Sequence, residues 1–164
     1  MPAYEVLLKQ VDPLLVATIR SIIPMGDDLG QHYGTIVAYL DKQHVQHSHL
    51  AMLLLHSRYE WYDDRMAIDV ETAVQLSTAL PGNEQVSTRT LPGGFMASTV
   101  HIGDDLSIGQ AYAALYHWVK DNGYQVTDPP RLLRLQRSEH MDPGQYVTEV
   151  QLPVKLQARS EAAI

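Results

Sequence analysis

Apolar residues recur along two stretches of the chain with the spacing of a helix that buries one side. Leu29, Tyr33, Ile36, Val37 and Leu40 share a face of the first, and Ile108, Tyr112, Leu115, Tyr116 and Val119 share a face of the second. Asp121-Asn122-Gly123 ends the second, since glycine takes the left-handed conformation in which helices commonly stop. Elsewhere the period shortens to two. From Asp69 to Leu76, the residues Val70, Thr72, Val74 and Leu76 lie on one side and leave Glu71 and Ala73 on the other. Tyr146 to Val154 behaves alike, with Val150, Leu152 and Val154 opposed to Glu149 and Gln151. Both segments predict strands, as does Arg131 to Gln136 after the turn-rich Thr127-Asp128-Pro129-Pro130.

These signals come in two copies. LGQHYGTIVAYL from Leu29 and IGQAYAALYHWV from Ile108 share Gly, Gln and Tyr at identical places. VATI from Val16 and MAST from Met96 precede them, and Glu71 and Glu149 follow them in the late strands, each pair separated by nearly the same length of chain as the two helices. The expected architecture is therefore α+β: two strand-helix-strand-strand modules about a pseudo-two-fold axis, with an antiparallel sheet and two main helices. The modules are expected at about 1–80 and 91–156, joined through a polar stretch, Pro81 to Thr90, and the turn Leu91-Pro92-Gly93-Gly94. Together they make one domain, 1–156. The tail, 157–164, is small and polar and is expected to fray. A cleft at a pseudo-symmetric junction of this kind is a natural ligand site.

Composition narrows the functional classes. A chain of 164 residues buries enough apolar surface to fold without a disulfide or metal staple, and it has no cysteine. Its start, MPAYEVLLKQVDP, lacks the basic and apolar regions of a signal peptide, and Leu50 to Leu55 is too short to span a bilayer, so the reading is cytoplasmic with no membrane partner. A formal net charge of −7 argues against a nucleic-acid surface. Arg131, Arg134 and Arg137 are the densest basic residues, yet they do not share one face of their strand.

Six pieces of sequence, in order, carry a resemblance: YEVLLKQVDPLLVATIR, Ile23-Pro24, Asp69-Val70-Glu71, LPGGFMASTVHIGDDL, AYAALYHWVKDNGY and TEVQLPV. In this order and spacing, across about Tyr4 to Val154, the chain resembles the GyrI-like family, which includes effector-binding domains of AraC-type and MerR-type multidrug-responsive regulators and free-standing members. The resemblance implies a cleft that receives hydrophobic, often cationic, small molecules. In many relatives the strand after the second helix reads R-E-V-Y-L, with its Glu at the floor of the pocket as counter-ion to a cationic drug or, in some free-standing members, as a catalytic acid or base. Here it reads Arg131-Leu132-Leu133-Arg134-Leu135, so Leu132 stands for the carboxylate and Arg134 for the tyrosine. A desolvated cation would lose its partner at Leu132 and be repelled by Arg134. Relatives commonly carry Tyr-His-Asp where this chain has Leu55-His56-Ser57.

The candidate ligand-binding residues are accordingly Tyr33, Tyr59, Trp61, Glu71, Tyr112, Leu132, Arg134 and Glu149. Tyr33 and Tyr112 are equivalent on the two helices and suit either the aromatic walls of a cleft or ordinary core packing. Tyr59, Trp61 and Tyr62 form either a lid or a hairpin tip with rings on the surface. Glu71 and Glu149 suit ligand contact or structural pairing, and a salt bridge from Arg134 to Glu149 would fill the site. His44, His47 and His49 match no standard zinc spacing, and His101 has neither a nucleophile motif nor a fixed carboxylate partner beside it, so no metal, cofactor or catalytic group is expected. The expected function is a sensor or sequestering protein for a hydrophobic small molecule, without a DNA-binding part of its own. Its alternatives are a hydrolase of a reactive small molecule and a protein-protein inhibitor of the gyrase-inhibitor type, and a protein partner or homodimer is compatible with any of them.

Overall fold

The computed structural model describes residues 4–158. The chain runs β1 (Leu7–Val11), β2 (Leu14–Pro24), α1 (Tyr33–Lys42), β3 (Met52–Leu55), β4 (Glu60–Tyr62), β5 (Arg65–Gln75), β6 (Ser87–Leu91), β7 (Gly94–Ile102), α2 (Gly109–Asp121), β8 (Tyr124–Val126), β9 (Arg131–Gln136) and β10 (Val147–Leu156). Among the described residues the strands form one antiparallel sheet ordered β1-β7-β10-β9-β3-β5-β2-β6, with β4 added to β5 and β8 to β10.

This order is a palindrome. The shift along the chain that superposes the two helices also turns β1 into β6, β2 into β7, β3 into β9 and β5 into β10, and reading the order backwards under that exchange reproduces it. The pseudo-axis passes between β3 and β9, where Leu53 pairs with Leu132, its own repeat equivalent. The division into two modules is a proposal that this symmetry supports; because β6 is the counterpart of β1, the second module would begin at about 87 rather than at 91.

Sequence periodicity does not single out β1 or β6. Both are edge strands with one side in water, and Ser87-Thr88-Arg89-Thr90-Leu91 is mostly polar, so Pro81 to Thr90 reads as a loop although its end is a strand. These two strands are exchanged: β1 pairs with β7 of the second half, and β6 with β2 of the first. The sheet curls far enough to bring its ends together. A Cβ on Gly93, between β6 and β7, would lie 2.6 Å from the Val11 carbonyl oxygen and 2.7 Å from the Pro13 nitrogen, between β1 and β2.

Both helices cover one face of the sheet. Ala111, Leu115 and Val119 of α2 pack with Leu53, Val70, Leu132, Val150 and Leu152, while Ile36 and Leu40 of α1 pack with Ala17, Val74 and Leu76. The opposite face carries a smaller apolar cluster of Val16, Met52, Leu54, Ala73 and Leu91. Leu29, expected on the first helix, precedes it instead. Asp28 Oδ1 accepts the Gly30 backbone N–H at 3.0 Å, making a turn that delays the helix until Tyr33 and sends Leu29 to the other helix's cluster. Residues 159–164 of the tail lie outside the described residues.

Candidate functional site

Alternation along β9 decides what faces the helices: Leu132 and Arg134 point toward them, and Arg131 and Leu133 point away. Above Leu132 opens a cleft of about 1070 Å3. Leu55, Ile68 and Leu132 form its floor, and Ile108, at the entry to α2, forms a wall with Tyr112 and Tyr116 of that helix. The loops entering the two helices, Met25 to Leu29 and Asp105 to Leu106, frame it, with Tyr59 and Arg58 at the mouth. The lining is mainly apolar, the chemistry of a site for a hydrophobic molecule. The Tyr112 hydroxyl is buried there without a hydrogen-bond partner, and burial pushes its pKa well above the usual phenol range.

One end of the cleft is ionic. Arg134 Nη1 donates to Asp28 Oδ1 at 3.3 Å, and its Nη2 lies 3.8 Å from Asp105 Oδ2. Arg137 engages Asp105 through both oxygens at 2.9 and 3.0 Å and lies over the Tyr146 ring, 4.3 Å from its centroid. Arg134 is the more deeply placed, its side chain only 10% exposed, and burial followed by repulsion from Arg137 lowers its pKa. Beyond it lies a second hollow of about 420 Å3, which Arg134, Arg137 and Asp28 share with Tyr33, His49, Glu139 and Tyr146.

Of the residues singled out in the sequence, Tyr59, Tyr112, Leu132 and Arg134 meet at the main cleft. Tyr33 lines the smaller hollow, so the equivalent tyrosines do not face each other across one site. Trp61 is 71% exposed on the β4–β5 hairpin and lines neither.

Glu71 and Glu149 lie on the face opposite the cleft and do not line it. Arg134 pairs with Asp28 and Asp105 and not with Glu149, because Arg134 points to the helix face and Glu149 away from it. Glu71 accepts two hydrogen bonds from Arg89, at 2.6 and 3.0 Å, and one from His56 at 2.8 Å. Burial raises its pKa, but the hydrogen bonds from Arg89, His56 and Thr18 outweigh that and hold it at about 2. Glu149 accepts from Lys9 at 2.9 Å, Ser98 at 2.8 Å and Gln151 at 2.7 Å, which likewise outweigh burial and lower its pKa. Lys9 and Arg89 belong to the exchanged strands β1 and β6 and are themselves repeat equivalents. Each repeated glutamate therefore fastens the strand borrowed from the other half.

The histidines singled out in the sequence are held by local partners. His47 Nε2 lies 2.9 Å from Asp41 and its Nδ1 2.8 Å from the Ser48 carbonyl, and buried His101 holds Tyr4 at 2.8 Å and Ser107 at 3.0 Å. Among the described residues no group of three or more His, Cys, Asp or Glu is placed to hold a metal ion, and no helix is long and apolar enough to cross a membrane.

Sequence reasoning missed Asp28 and Asp105, although a signal existed, and weighed Arg137 only as part of a basic patch. Gly-Asp-Asp-Leu occurs twice, at Gly26 to Leu29 and at Gly103 to Leu106, and the third residue of each copy reaches Arg134.

The family model of the GyrI-like small molecule binding domain matches residues 4–155. The chain belongs to this family. Among solved structures, this GyrI-like domain is similar to the C-terminal domain of EcmrR, with a TM-score of 0.75, 23% identity and coverage of 93% of this chain and 98% of that one. The longer EcmrR chain in a complex with DNA superposes with a TM-score of 0.74 at 23% identity over 93% of this chain, which spans 58% of it. A hydrolase from Listeria innocua gives 0.70 at 13% identity, covering 92% of each chain, and SAV2435 bound to tetraphenylphosphonium gives 0.53 at 15%, covering 92% of this chain and 94% of that one. At these identities the likeness is one of fold. No curated protein matches the sequence.

Proposed function

We propose that this GyrI-like domain is a cytoplasmic sensor or sequestering protein for hydrophobic small molecules that are uncharged or weakly anionic, and that it is not an enzyme. The observation carrying this reading is the cleft itself: about 1070 Å3, mainly apolar, with Leu132 on its floor and a buried arginine at one end. A ligand gains by removing apolar surface from water, and the unpartnered Tyr112 hydroxyl offers a hydrogen bond that orients it. A lipophilic cation finds no carboxylate on the floor. Asp27, Asp28 and Asp105 lie among the lining residues with Arg58, Arg134 and Arg137, so the charges there balance.

Hydrolysis needs a group that exchanges protons near neutrality at the reacting centre. Burial moves the Tyr112 phenol away from that range, and Asp28 is held ionised because the Gly30 N–H and Arg134 outweigh the effect of its burial. The test is a thermal-shift screen of the purified protein against cationic, neutral and anionic hydrophobic compounds, since native-state binding raises the melting temperature by mass action. Shifts with neutral and anionic compounds but not cations are expected. A shift confined to cations, or turnover of an activated ester at the cleft, would overturn the reading.

A further inference from the structure

Arg134 breaks the likeness of the two halves on the floor of the cleft. Its repeat equivalent in the first half is Leu55, which pairs in the sheet and lines the same cleft. The two Gly-Asp-Asp-Leu loops, by contrast, are copies, and their third residues Asp28 and Asp105 both turn to this one guanidinium. Neither makes the two-pronged contact that a carboxylate and a guanidinium favour. The Asp28 contact is a single bond at 3.3 Å, Asp105 stands at 3.8 Å, and the good bidentate pairing of Asp105 goes to Arg137. A buried arginine is thus held by partners that leave its fork poorly matched, and Asp28 is itself 58% exposed and able to turn to water.

We infer that the cleft takes a bulky apolar monocarboxylate, whose carboxylate displaces Asp28 from Arg134 while its apolar body lies over Leu132 and against Ile108 and Tyr116. This rests on the reading of the cleft as a hydrophobic ligand site and names the ligand class within it. The exchange is favourable for a physical reason: the incoming carboxylate forms a bidentate, desolvated pair, and the outgoing one regains water. Asp105 stays with Arg137, so the ionic cluster ends with Asp28 released rather than with an extra charge buried. The other charged side chains on the cleft, Asp27 and Arg58, offset one another.

Three probes with one body separate the charge from the apolar contact: pyrenebutyrate, pyrenebutanol and a pyrenebutyl trimethylammonium salt, followed by fluorescence titration of the whole protein. The acid should bind at least about tenfold more tightly than the alcohol, and the ammonium salt most weakly. Arg134→Gln should remove the acid's advantage over the alcohol. Asp28→Asn, whose side-chain oxygen can still accept the Gly30 N–H, should raise the acid's advantage over the alcohol about threefold or more. Equal binding of acid and alcohol by the unaltered protein, or an Asp28→Asn variant in which the acid's advantage falls, would overturn the exchange while leaving the hydrophobic cleft intact. No binding of any probe would overturn the cleft reading and the exchange together.

Discussion

A single carboxylate shows how placement, rather than residue type, sets a role. Glu71 is ionised and held at about 2 by Arg89 and His56, below the ordinary value of 4.5. Because its folded pKa is depressed, it stabilises the protein above about pH 4.5, and that contribution is lost as the pH falls toward 2. Glu71→Gln should cost about 2 kcal/mol at neutral pH, less than the ~3–5 kcal/mol of a fully buried pair because Arg89 is partly in water. Melting temperatures at pH 7 and pH 3 should differ less in the variant than in the unaltered protein. Leu132 gives the complementary case. Replacing Leu132 by Glu and Arg134 by Tyr together should raise affinity for tetraphenylphosphonium by tenfold or more in a calorimetric titration, at a stability cost of about 2 kcal/mol for the buried carboxylate. Leu132 and Arg134 were marked by the resemblance to the family pattern, and alternation only put them on one face of their strand. It concealed the fate of Glu71 and Glu149, because a shared face says nothing about which neighbour crosses it, and Arg89 and Lys9 arrive from strands 18 and 140 residues away.

At the scale of elements, periodicity served well where an element buries one side. The helices α1 and α2 and the strands β5 and β10 were legible because one side of each meets the core. The edge strands β1 and β6 were not, since a strand with one neighbour needs few apolar residues. The loops that frame the cleft carry no periodicity, and only their repeated Gly-Asp-Asp-Leu marks them. The connections at the curled ends are also demanding. At Gly93 a methyl group would meet backbone atoms of Val11 and Pro13, so Gly93→Ala should lower stability by about 1–3 kcal/mol, read as a lower urea midpoint with unchanged slope. Gly34, where an added Cβ meets nothing within 4 Å, provides the control, and Gly34→Ala in the helix should be neutral or stabilising by up to ~1 kcal/mol.

At the scale of the whole molecule, duplication makes the fold and a departure from it makes the site. The eight strands of the main path match in pairs between the halves, while β4 and β8 have no counterpart strand among the described residues, and the pseudo-axis runs through the Leu53–Leu132 pair at the cleft floor. A perfectly repeated chain would offer a ligand two equivalent ends. Arg134 opposite Leu55 gives this cleft one ionic end and one apolar end, and with them a single preferred orientation for whatever enters. A saturating ligand should therefore raise the melting temperature in one cooperative transition rather than two, as followed by calorimetry, because the cleft is built from both halves.

The exchange of β1 and β6 reaches further than the cleft. Each half clasps a ribbon of backbone that belongs to the other, riveted by Glu71 to Arg89 and by Glu149 to Lys9. Severing the chain between Pro81 and Gln85, ahead of β6, would leave two fragments still threaded through one another, like two hands with interlaced fingers.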